Sequence, residues 1–181
     1  MPRFPVHTID DAPPASRAAL QAAQRKHGRL LNITAEMAHA PAVIAAYAAM
    51  NEAIAEHGTF GPATREAIAL AVGNQDGCGY CQSAHTLSAL RAGLTQEQTI
   101  AIRNADTGFD PKLGALLAVA REIAGNTGEV AEETYQRAQA AGWASEELAE
   151  LYAHVAANMF TNYFNDYAHR ARCPRSPGIA A

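Results

Sequence analysis

Alanine-rich apolar segments at helical spacing are the feature that most narrows what this chain can fold into. Between its glycine and proline punctuation the apolar residues recur at three- and four-residue intervals, and no run of alternating β-branched residues supports a sheet. Hydrophobic residues make up 49% of the chain but aromatics only 7%, a balance that suits closely packed helices better than a sandwich. With 181 residues the chain is long enough to bury a substantial core in one domain of ordinary size. The expected fold class is all-α, a multi-helix bundle.

Residues 1–14 read as a proline-bearing arm, followed by a single helical domain over 15–171 and a tail over 172–181 that is expected to lack order. A first helix is predicted from about Ala15 to His27. Pro41 opens a second over 41–57, with Val43, Ala46, Tyr47 and Met50 at core spacing and Glu52 and Glu56 toward water. Gly61-Pro62 starts a third helix, whose Ala67–Val72 stretch is wholly apolar. A further helix runs to Ala92 and stops at Gly93. Thr95-x-x-Gln98 is a capping box for a short helix near 96–103. Helices from Asp110-Pro111 to about Ala124, over Val130–Ala141 and over Ser145–His169 complete the pattern.

The chemistry concentrates in Cys78-Gly79-Tyr80-Cys81, His85 and Glu66. Asn74-Gln75-Asp76-Gly77 is a turn cluster and Thr86–Arg91 reads as helix, so the cysteines should sit where a loop becomes a helix. Unpaired N–H groups and the positive end of the helix dipole favour thiolate there, lowering a free-cysteine pKa of about 8.5. Offsets of three and four residues put Cys78, Cys81 and His85 on one helical face, within reach of one another. Glu66 begins an all-apolar run and must find a partner on another element, for which His85 is the candidate. A carboxylate that fixes the imidazole tautomer lets the other ring nitrogen exchange a proton with a thiol. The helix N-terminus favours Cys78 as the more acidic thiol. The histidine favours Cys81, and base proximity also supplies the proton that a leaving alkoxide needs.

This pattern of Glu66, Cys78-x-Tyr80-Cys81 and His85 resembles the active-site signature of the alkyl hydroperoxidase D group within the carboxymuconolactone decarboxylase-like superfamily, over about residues 37–105. The resemblance implies an orthogonal helical bundle of the alkyl hydroperoxidase D-like type and a thiol-dependent, peroxiredoxin-type peroxidase. It implies that Cys81 attacks the hydroperoxide, that Cys78 resolves the resulting sulfenic acid to a Cys78–Cys81 disulfide, and that Glu66 and His85 relay the proton. No cofactor is implied beyond that redox-active disulfide, and a dithiol or thiol-protein donor would reduce it. The resemblance also implies a homo-oligomer, a trimer or hexamer. Tyr80 is a departure: some members carry histidine there to assist the outer cysteine, and a phenol with a pKa near 10 is a poorer base, so Tyr80 is at most an accessory group.

Other readings of the same residues stay open. Cys78, Cys81, His85 and Glu66 could ligate zinc, although a structural site normally closes with a second cysteine or histidine pair. The cysteines could be inert and buried. Cofactor-free decarboxylation of a lactone acid is the superfamily's other chemistry, and members of that branch generally lack the cysteine pair. A redox-sensing oligomer would share the first oxidation step with an enzyme.

A net charge of −4 without a basic patch argues against nucleic acid, and no apolar stretch nears the length of a membrane span. A cytoplasmic protein is expected, where thiols are kept reduced and a C-x-x-C is more often catalytic than a staple. A shift of 84 positions sets Glu66 on Glu150, Cys78 on Asn162, Cys81 on Asn165 and His85 on His169, a candidate degenerate duplication in which Glu150 and His169 would be structural. His154 reads as a packed, hydrogen-bonded histidine. Met159, Phe160, Tyr163, Phe164 and Tyr167 form an aromatic-rich band suited to core or subunit interface.

Overall fold

A computed structural model of the chain describes residues 2–168. Nine helices and no strands are found among the described residues: α1 (Pro14–His27), α2 (Asn32–Met37), α3 (Pro41–His57), α4 (Pro62–Gln75), α5 (Gly79–Arg91), α6 (Gln96–Arg103), α7 (Pro111–Gly125), α8 (Glu132–Ala140) and α9 (Ser145–Ala168). The all-α expectation holds. No helix among them is long and apolar enough to cross a membrane.

The described residues fall into two compact units, one of residues 2–57 with 163–168 and one of residues 58–162. In the first, α1 packs on α2 and α3, with Leu20, Met37 and Ile44 buried. The N-terminal arm is fastened within this unit: the Arg3 N–H donates to the Ala168 carbonyl at 2.7 Å, and the Phe4 ring lies 5.9 Å from Phe164.

The second unit is built around α4. Its stretch from Ala67 to Gly73 is buried throughout, because a helix that is apolar on all sides finds its lowest free energy with neighbours on all sides. Helices α5, α6 and α7 supply those neighbours. Leu70, Ile102, Leu116, Leu117 and Leu151 are fully buried in the same core.

Polar side chains close the helix ends in this unit. Thr95 and Gln98 form the anticipated capping box of α6. Ala131 cannot cap α8, so Glu122 of α7 accepts from the Ala131 N–H at 2.8 Å and the Thr134 hydroxyl at 2.7 Å. The entrance to α4 is held by Glu150, which accepts from the Thr59 hydroxyl at 2.6 Å and from the Thr59 and Phe60 N–H groups.

The structure corrects two readings. Helix α2 was not anticipated: Leu31 offers no side-chain cap, and six residues are too few to show a period. In α3 only Ile44 is buried, Ala46 is exposed, and Val43, Tyr47 and Met50 are half-buried. That helix is apolar on most of its circumference, so spacing alone cannot select the face that packs. The anticipated Gly93 stop of α5 is present, at φ +100° directly after the Ala92 cap.

Candidate active site

The site lies where α4 passes into α5. Helix α4 ends at Gln75 with Asp76 as its cap, and Gly77 at φ +70° reverses the chain in a conformation that a residue without Cβ adopts at no steric cost. The Cys78 N–H then returns to the Gly73 carbonyl at 3.0 Å. Cys78 is the N-cap of α5, and its sulfur accepts from the Cys81 N–H at 3.3 Å. The anticipated loop-to-helix position of the cysteines is therefore present, with an otherwise orphaned helical N–H directed at sulfur.

Cys78 and Cys81 are joined in a disulfide, with Cα atoms 5.3 Å apart, and both residues are buried. One turn beyond Cys81 stands His85. Its Nδ1 lies 2.8 Å from Glu66 Oε2, across the α4–α5 contact. An ionised carboxylate only accepts, so Nδ1 carries the proton in this pair and Nε2 is left to take or give one. The side chains of His85 and Glu66 are 30% and 25% exposed, which leaves the pair open to a reactant while the cysteines are covered. Tyr80, at 45% exposure, lies on the outer side of the same helix.

The structure thus assembles Glu66, Cys78, Cys81 and His85 on two adjoining helices. The zinc arrangement is not assembled: the thiols are bonded to each other, and no group of three or more His, Cys, Asp or Glu among the described residues is set to hold a metal ion. Sequence reasoning missed the anchor of the cysteine loop. Asn162, 1% exposed on α9, donates its Nδ2 to Asp76 Oδ2 at 2.7 Å, two residues before Cys78. No local signal marks it, since Asn162 is one of three asparagines in α9. Gln82, also buried, donates to the Gly73 carbonyl at 3.4 Å.

Glu150 does not reproduce the geometry of Glu66. It pairs with His154, four residues on, at 3.0 Å, and serves the α4 entrance. Burial lowers the His154 pKa and outweighs the opposing effect of Glu150. For Glu150 burial acts upward, but hydrogen bonds led by Thr59 hold the carboxyl below its ordinary value. His169 and Cys173 lie outside the described residues.

The sequence profile of the Carboxymuconolactone decarboxylase family matches residues 41–122, a span that contains α3, α4, the cysteine loop and α5. This match agrees with the resemblance to the alkyl hydroperoxidase D/carboxymuconolactone decarboxylase-like superfamily that Glu66, Cys78, Cys81 and His85 carry. Solved structures share this fold along most of their length. A peroxidase-related protein with an alkylhydroperoxidase AhpD core from Ralstonia eutropha JMP134 is 21% identical at a TM-score of 0.82, covering 96% of this chain and 93% of its own. A variant of the debrominase Bmp8 in complex with 2,3,4-tribromopyrrole is 19% identical at 0.77, covering 95% and 91%. A peroxidase-related protein from Silicibacter sp. TM1040 is 17% identical at 0.75, covering 92% and 87%. No curated protein matches the chain by sequence. At these identities the structural likeness is one of fold, and the chemistry must be argued from the site itself.

Proposed function

We propose that this chain is a thiol-dependent peroxidase that reduces hydroperoxides through Cys81 and Cys78, with Glu66 and His85 as its proton relay. The observation that carries the reading is the Cys78–Cys81 disulfide one helical turn ahead of a histidine held by a carboxylate. In the reduced enzyme the Cys81 thiolate attacks the terminal peroxide oxygen. The O–O bond breaks, sulfur becomes a sulfenic acid, and the leaving alkoxide takes a proton from His85 and departs as an alcohol. The Cys78 thiol then attacks the Cys81 sulfenic sulfur, forming the disulfide and releasing water. Two electrons and two protons from an external dithiol or thiol protein restore both thiols. Burial of both sulfurs protects the sulfenic acid from over-oxidation, and a partly exposed relay pair keeps proton exchange with solvent open. The chain needs no other cofactor in this scheme, and the cytoplasm, where thiols are kept reduced, suits its regeneration.

Self-association belongs to the same reading. Leu87 and Leu90 on α5 are 59% and 41% exposed, beside the exposed Tyr80 on the helix that carries the cysteines. An apolar stripe of this kind is a subunit contact in a homo-oligomer.

A second reading is reductive dehalogenation, favoured by the likeness in fold to the debrominase Bmp8. There thiolate would attack bromine, the carbon would take a proton, and Cys78 would displace bromide from sulfur, ending in the same disulfide. Consumption of an alkyl hydroperoxide and of 2,3,4-tribromopyrrole, each with excess dithiol, separates the two. The peroxidase reading expects turnover of the hydroperoxide with Cys81-dependent loss. Turnover of tribromopyrrole alone would overturn it in favour of dehalogenation.

A further inference from the structure

A cavity of about 410 Å³ lies beside the first turns of α4, α6 and α7, and the thiol chemistry makes no use of it. Its volume falls in the usual range for small-molecule sites, about 300–1,000 Å³. Leu94, Phe109, Leu113 and Trp143 give it apolar walls. The indole is a fixed wall: Trp143 Nε1–H donates to the Lys112 carbonyl at 2.8 Å, and Phe60 meets the ring edge-on at 5.6 Å.

The polar groups on this cavity are biased toward donors. Lys112 Nζ stands 4.5 Å from the centre of the Trp143 ring, and no ion pair among the described residues includes it. The one carboxylate in the lining, Asp110, is engaged by the Leu113 N–H at 2.9 Å. Gln98 uses its Oε1 on the Thr95 N–H at 2.9 Å, which leaves its amide N–H groups. The Thr64 hydroxyl has no hydrogen-bond partner among the described residues. A cation held on an aromatic face keeps N–H donors for a ligand and loses little entropy on binding it.

We infer that this cavity binds a small aryl or branched-alkyl carboxylate, its body against Trp143, Phe109 and Leu94 and its carboxylate on Lys112. Ten residues of α4 separate Ala63 in the lining from Gly73, which packs on Cys81. That is about 15 Å of helix, so the site is separate from the disulfide although Glu66 lies one turn from Ala63.

Trp143 is the sole tryptophan of the chain and a direct reporter. Phenylacetate, and phenylacetamide as its uncharged counterpart, are titrated into the full-length protein while tryptophan emission and binding heat are followed. Saturable binding of phenylacetate is expected, weakened at least about tenfold for the amide and for Lys112→Met, and retained by Lys112→Arg, since a charge-assisted hydrogen bond is worth at least that factor. Thr64→Val gives a smaller loss in the same direction. No saturable response by either readout, equal binding of acid and amide, or unchanged affinity in Lys112→Met overturns the inference. No turnover is measured, so the outcome is independent of the peroxidase reading.

Discussion

Replacement of Cys81 by serine should abolish peroxide consumption, whereas Cys78→Ser should permit a single oxidation and then stall. In the second variant the sulfenic acid lacks its resolving thiol and should be trapped by a dione reagent, adding one label by intact mass. Equal partial losses in both would contradict the division of roles. Glu66→Gln tests the relay: an amide still meets His85 but no longer compensates an imidazolium, and the first oxidation should slow by about 10²-fold with the fold retained. Single-turnover stopped flow reads that step, and a wild-type rate removes Glu66 from the mechanism. Cys78, Cys81 and His85 could be grouped from the sequence because helical offsets fix which side chains share a face, and Glu66 because a carboxylate opening an apolar run needs a partner on another element. Asn162 and Asp76 could not, since a contact across 86 positions has no local period to betray it.

Helix α4 carries Glu66 and leads into the cysteine loop, so the site depends on how that helix is held. Its buried stretch makes Leu70→Ala cost about 2–5 kcal/mol, measured by denaturant unfolding, because the removed methyl groups leave a cavity among rigid neighbours. The α4 entrance also has a pH signature. The folded-state pKa of His154 is depressed below its ordinary 6.5, so the unfolded chain binds the proton more readily. The stability it contributes is complete above about pH 6.5 and is lost as pH falls toward the lowered folded value. Glu150, also depressed, adds a further loss below about 4.5. Thermal melting at pH 7.5 should therefore exceed that at pH 5.5, and His154→Gln should narrow the gap; an unchanged gap contradicts this assignment. Most helix boundaries were legible from caps and prolines, with Thr95–Gln98 and Asp110-Pro111 where the sequence put them. The packed face of α3 was not, because an apolar circumference gives spacing nothing to select.

For the whole molecule, the exposed leucines of α5 predict an assembly that Leu87→Lys should dissociate, a change visible by light scattering. The fold class could be read from composition and period, and solved structures share that fold. What the chain does turns on whether its disulfide is a step in a cycle. That is tested most directly by thiol titration and intact mass on the reduced protein, before and after one equivalent of an organic hydroperoxide. The chain has three cysteines. The account predicts loss of two titratable thiols, a mass lower by about 2 Da, and a bond mapping to Cys78–Cys81. Three thiols still titrating after peroxide, with the mass unchanged, would contradict it.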